Sequence, residues 1–157
     1  MNDSPAPKLL IPLLSPLYAA LAPLVDPLLR VVTGVWLVPH GAQKLFGLWA
    51  GPNSPDLATE SQMFEQHLGL PGFFAPLSAL IEFACGILIA VGLLTRPAAA
   101  IVFGEFLVIV FAVHLPHGFF AQGGGAEYPM MWAILALTVL IRGGGRWSLD
   151  RAIGREF

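Results

Sequence analysis

The chain reads as long apolar runs separated by short polar breaks. From Leu28 the run LLRVVTGVWLVPHGAQKLFGLW reaches Trp49, a second run ends at Leu94, a third follows Pro97, and a fourth follows Tyr128 and ends at Arg142. Each approaches the ~20 apolar residues that a helix needs to cross a bilayer. The pattern predicts an all-α membrane protein, a four-transmembrane-helix bundle with spans at about 27–49, 72–94, 97–115 and 128–142.

The breaks carry the usual helix punctuation. Asp26-Pro27 suits a helix start, since Asp caps and Pro fits the first helical position. Pro39 predicts a kink inside the first span. Residues 50–56 are a Gly/Pro/Asn/Ser loop. Residues 59–68 put Met63, Phe64 and Leu68 on one face before Gly69, which predicts a short surface helix in the first outer loop. Residues 95–97 make a tight connection, residues 116–126 a glycine-rich loop, and Gly143-Gly144-Gly145 closes the last span.

Before the first span, residues 9–25 are apolar but broken by Pro12, Pro16 and Pro23. Residues 1–25 are therefore expected to lie in the membrane interface, with a short helix around 15–21, and residues 26–157 to form a single membrane domain. The start lacks the basic stretch and small-residue cleavage site of a signal peptide.

Composition strengthens this reading. Of 157 residues 56% are hydrophobic and 11% charged, against about a quarter charged in a soluble domain. Mean hydropathy is +0.74. The net charge of -2 gives no basic field, so a nucleic-acid partner is not expected. The single cysteine, Cys85, excludes an intrachain disulfide or a multi-cysteine metal site, and no metal is expected. Cys85 reads as a small packing residue. If four spans are drawn, Lys8, Arg30, Arg96, Arg142, Arg146, Arg151 and Arg155 fall on one side and Lys44 on the other. The positive-inside rule then puts both termini in the cytoplasm of a multi-pass inner-membrane protein, with lipid as its constant partner.

Ionisable residues inside spans cost at least ~2.5 kcal/mol at the helix centre, so each needs a partner or a use. On the first span Arg30, Gly34, Leu37, Gly41 and Lys44 fall within an arc of about 80°, with Thr33 and His40 at its edge and Trp36 and Gln43 further round. Ser78, Ala79, Glu82, Cys85 and Gly86 share a small-residue face on the second span, and Ala98, Ile101, Glu105, Ile109 and Ala112 share one on the third. Glu82 and Glu105 are expected to meet Arg30, His40 or Lys44 in one buried polar seam. That seam has two readings: an ion-paired device that fixes helix packing, or a ligand or proton site. His67 and His117 read as loop residues. A haem would need His40 and His114, which an ideal wheel puts at different depths and on unlike faces.

Several short motifs recur in a known order. HGAQKLFG at 40–47 is similar to the HGxQKLFG that ends the first span of the DoxX family of bacterial membrane proteins. EFACG at 82–86, GLLTR at 92–96, GGAE at 124–127 and GGGRWSLD at 143–150, the last similar to the family's GxGRxSLD, come after it in sequence. After its N-terminal segment the chain resembles that family over nearly its whole length. The family takes its name from a subunit associated with thiosulfate:quinone oxidoreductase, and other members are linked to membrane redox complexes. The resemblance implies a redox-associated role, with quinone as the cofactor it points to and a homo-oligomer or a membrane redox complex as partner. The chain has no cysteine pair and no nucleotide-binding loop, so electrons would come from a partner or a bound cofactor.

A quinone head is aromatic with two carbonyl acceptors and needs donors in an apolar pocket. His40, Gln43 and Lys44 are candidate donors. Trp36, Phe46, Trp49, Tyr128 and Trp132 are candidate walls, or an interfacial belt. Glu82 and Glu127 are candidate proton carriers, with Glu127 alternatively favouring the start of the fourth helix. Two other functions fit the same residues: a proton-coupled small-molecule transporter, and a non-catalytic membrane subunit or assembly factor.

Overall fold

The structure is a computed structural model and describes residues 9–52 and 54–156. Those residues are mostly helical, with no strand among them. Helix α1 (Ser15–Phe46) is followed by α2 (Leu57–Leu68), α3 (Phe74–Val91), α4 (Thr95–His117), α5 (Glu127–Arg142) and the short α6 (Leu149–Ala152). Three helices are long and apolar enough to cross a membrane: Pro12–Phe46, Phe74–Val91 and Thr95–His117. Helix α5 has 16 residues, about 24 Å of rise. Its outer face carries Met131, Ile134 and Ile141, exposed in the same way as Leu28, Val31 and Val35 on α1 or Ile101, Val108 and Phe111 on α4. Large apolar side chains facing outward on these helices are the surface expected of a protein solvated by lipid.

The first helix departs from its sequence expectation. Asp26-Pro27 is not its start, since α1 runs unbroken from Ser15 through Pro23, Pro27 and Pro39. Pro16 stands in the first turn, where the missing N–H has no helical acceptor anyway. The three interior prolines orphan only the carbonyls four residues before each, which apolar helices tolerate. Asp26, freed from capping, accepts a two-pronged pair from Arg142 of α5 at 2.9 and 2.6 Å. Lys8 lies outside the described residues. The helix ends at Gly47, whose φ of 67° and N–H to Gln43 O close the last turn.

Small residues set the packing. A Cβ on Gly34 would stand 2.5 Å from Gly86 O, and one on Gly41 would stand 2.6 Å from Ala79 O, so α1 and α3 touch backbone to backbone at two levels. Between α4 and α5 the buried core is built largely from Ala98, Ala99, Val102 and Phe106 with Ala133, Ala136 and Val139. Cys85 is buried in the same core beside Leu37 and Ile89, as a packing residue would be. Two spans are locally widened: α3 contains a π turn at Ile81–Cys85 and α4 another at Ile109–His114.

Arg30, Arg96, Arg142 and the basic tail gather at one end of the bundle, here the tail end, and Lys44 lies at the other, the loop end.

Candidate functional site

The polar residues form two separate groups. At the tail end Arg30 is 3% exposed, and it donates to the last carbonyls of α3, Ile89 O at 2.8 Å and Ala90 O at 2.6 Å, and to Trp147 O at 2.7 Å. A cation there satisfies carbonyls the helix end leaves unpaired. Across the turn Asp150 accepts from Leu94 N, Thr95 N and Thr95 Oγ1 at 2.7, 2.9 and 2.7 Å, and so caps α4 from the distant tail. Burial pushes the Asp150 carboxyl up, but the hydrogen bonds from Thr95 and Leu94 and the Arg30 charge outweigh it and hold it below its ordinary value. The expected seam from Arg30 to Glu105 is therefore not formed. Arg30 spends its donors on helix-end carbonyls and the tail, and the sequence features that could have signalled this are Thr95 and the SLD at 148–150.

At the loop end Lys44 Nζ reaches both Glu82 oxygens at 3.1 Å, and Glu60 of α2 at 3.9 Å. Glu82 stands in the π turn of α3, faces Lys44 of α1 and is 6% exposed. Glu60 lies outside the spans. Burial raises its carboxyl, the Lys44 charge opposes that, and the Glu82 charge adds to it.

Lys44 and Glu82 stand on the wall of a cavity of about 300 Å³, together with His40, His114, Tyr128, Trp132, Phe106 and the backbone of Gly124 and Gly125. Trp132 stacks on Phe106 at 6.0 Å and 21°, and Trp36 meets Trp132 edge-on at 6.5 Å. An ideal wheel separates His40 from His114. The π turn that ends at His114 adds a residue to that turn and rotates the end of α4, so both histidines line one cavity. His114 Nδ1 donates to Gly124 O at 2.7 Å, which leaves Nε2 as the ring atom without a backbone tie. His114 is a functional candidate that periodicity alone missed.

The remaining candidates are spread around this cavity. Gln43 donates to Ser54 Oγ at 2.6 Å and ties the first loop to α1. Glu127 accepts from Ala121 N at 3.1 Å and closes the glycine-rich loop. Glu105 lies on a neighbouring, largely apolar cavity of about 320 Å³, and both its oxygens are buried with the Ser78 hydroxyl as their neighbouring polar group. Of the expected aromatic walls, Tyr128 and Trp132 line the cavity, Trp36 stands behind it, Phe46 packs edge-on against Phe83, and Trp49 is exposed. His117 donates to Val113 O, and His67 lies on α2 with its side chain outside the described residues.

A helical membrane protein with a polar cavity at one end of its bundle is the class these features define. The DoxX family profile matches residues 25–115. The chain belongs to the DoxX family. It is 33% identical over 131 residues to inner membrane protein YqjF of Escherichia coli, covering 82% of this chain and 91% of that protein. It is 27% identical over 140 residues to a Mycobacterium tuberculosis protein named "Uncharacterized membrane protein Rv3486", covering 82% and 80%. It is also 28% identical over 123 residues to a Bacillus subtilis protein named "Putative oxidoreductase CatD", covering 78% and 82%. No solved structure matches.

Proposed function

We propose that this chain binds a quinone-class head group in its loop-end cavity, as a membrane subunit or partner of an oxidoreductase complex. The cavity carries the reading: about 300 Å³, aromatic on one side, with His40, Lys44, His114 and Glu82 on its wall. That volume is at the lower end of small-molecule sites and suits one ring. A bound quinone would supply two-electron, two-proton redox chemistry, with the electrons delivered by a partner oxidoreductase. Lys44 and His40 are donors for its carbonyl oxygens, Trp132 and Tyr128 are its walls, and Glu82 holds or releases a proton beside Lys44. The oxidoreductase name of the Bacillus subtilis relative supports the redox half of this reading. The test is quinone binding by the purified chain: His40→Ala and Glu82→Gln should each weaken it about tenfold or more, the scale of one lost polar contact to a buried partner. Unchanged binding in both variants sinks the proposal.

The same reading has a topology. Helix α5 is taken as the fourth span, its short length offset by the flanking glycine loops, and both termini are placed in the cytoplasm of a bacterial inner membrane. The clustered tail-end arginines support that orientation, as does the inner-membrane name of the Escherichia coli relative. In a Cys85→Ser background, Ala152→Cys should label only from the cytoplasm and Gly123→Cys only from outside.

One observation favours a second reading. The buried Glu105 carboxyl, with no ion-pair partner among the described residues, lies on a cavity adjoining the site, as a carrier in a proton-coupled transporter would. Proton-dependent solute uptake into liposomes that vanishes with Glu105→Gln would select it.

A further inference from the structure

Beneath α2 lies another chamber, of about 490 Å³. Lys44, Ile109 and His114 line both this chamber and the head-group cavity. Ile109 and His114 are the first and last residues of the α4 π turn. One widened helical turn and one lysine side chain thus form the shared wall of two spaces with a combined volume well above that of a single ring. Their chemistry differs. Both carry Lys44 and His114, the first adding His40 and Glu82 and the second Glu60 and His117, but Met63, Phe64 and Leu68 of α2 with Ala112 and Val113 of α4 make most of the second chamber's wall apolar. The roof over the second is tied down by polar contacts. Gln43 holds Ser54, Lys44 reaches Glu60 at 3.9 Å, and Glu65 Oε1 accepts from Gly72 N at 3.1 Å.

We propose that the site takes a two-part amphiphile, with its polar ring in the first cavity and a flexible apolar tail, isoprenoid or alkyl, running past Lys44 into the chamber under α2. This rests on the head-group reading above and narrows its ligand to the lipid-soluble, tailed class. The two spaces adjoin at Lys44, Ile109 and His114, and a flexible lysine side chain on that boundary can move aside for one ligand to occupy both. A soluble ring would leave the larger, apolar part of the site without a use.

The experiment compares two probes on the full chain in detergent: a dimethoxy-methyl-benzoquinone without a tail, and the same ring carrying a decyl chain. Binding is read by quenching of tryptophan fluorescence, since Trp132 lines the ring's cavity. At equal mole fraction in the micelle the tailed probe should bind about tenfold tighter, the gain from a few better-packed methylenes. Ala112→Phe, and independently Leu68→Phe from the roof, should remove most of that gain and leave the tail-free probe within about twofold. Equal affinity of the two probes in the unmodified chain overturns the inference. So does a filled chamber that weakens both probes alike. If the fillers weaken neither probe but lower the phospholipid retained per chain, the chamber belongs to bulk lipid and the inference fails. In each of these cases tail-free binding that is lost in His40→Ala leaves the head-group reading standing. If neither probe binds the unmodified chain, both proposals fall together.

Discussion

Lys44 is the residue on which most of the loop end depends, because it neutralises Glu82 inside the bundle and reaches Glu60 on its roof. Removing one member of a buried pair leaves an uncompensated charge, which costs about 3–5 kcal/mol in a dry site. The Lys44 side chain is 22% exposed, so about 2 kcal/mol is the better expectation for Lys44→Met or Glu82→Gln alone. The double variant should recover at least about 1 kcal/mol of the summed losses in thermal unfolding in detergent. Additive losses would mean that the two groups do not interact. Glu105 should behave in the opposite way. Its buried oxygens have at most the Ser78 hydroxyl as a partner among the described residues, so Glu105→Gln exchanges a group that can be charged for a neutral amide of the same shape, and the melting temperature should hold or rise. A clear fall would show that Glu105 has a stabilising partner. Of these residues the sequence displays the types and their rarity in apolar runs, which is enough to nominate Lys44, Glu82, His40 and Glu105. It does not pair them, because pairing depends on helix rotation, and each of the two π turns shifts the wheel by a residue.

At the scale of elements, hydropathy locates the helices well where lipid-facing and core-facing residues are both apolar. The expected 72–94 and 97–115 correspond to Phe74–Val91 and Thr95–His117, and the helix expected at 59–68 is Leu57–Leu68. The N-terminal half of α1 departs from expectation because proline breaks a helix in water, where the freed backbone can turn to solvent. In an apolar setting the chain has no better alternative to helix, and the orphaned carbonyls are few. The glycines of α1 do form the contact face that their spacing predicts. Gly41→Ala should cost about 2 kcal/mol, because the added methyl meets Ala79 O at 2.6 Å and backbone cannot yield as a flexible side chain would. Gly104→Ala, where nothing lies within 4 Å, is the control and should be neutral or slightly stabilising in the same thermal assay. Equal effects at the two positions would show that the α1–α3 contact is looser than drawn.

At the scale of the whole molecule, the tail end is where distant parts of the chain meet: residue 30 from the first helix, 89–95 from the α3–α4 turn and 147–150 from the tail. Its pH dependence stems from Asp150, whose carboxyl is held below its ordinary value. A depressed acid stabilises the fold fully above the unfolded value of about 3.9 and loses that contribution as pH falls through the folded value. Asp150→Asn should therefore lower the melting temperature at pH 7, and the gap to the unmodified chain should close as the pH is taken below about 4. A gap independent of pH would assign the loss to shape rather than charge. This part of the architecture is visible in the sequence only as a family motif, since no local periodicity connects Arg30 to a tail more than a hundred residues away.

The tail-end lock also bears on how the protein is made. Arg30 is made well before its partners: its contact to Trp147 O and the Asp150 cap on α4 come from residues more than a hundred positions later. Until then the first helix carries a buried cation whose partners are incomplete, and the α3–α4 hairpin lacks its cap. Synthesis of residues 147–150 thus also completes the packing around Arg30. A nascent chain stalled before residue 147 would hold α1 to α5 and still leave Arg30 and the start of α4 without these partners.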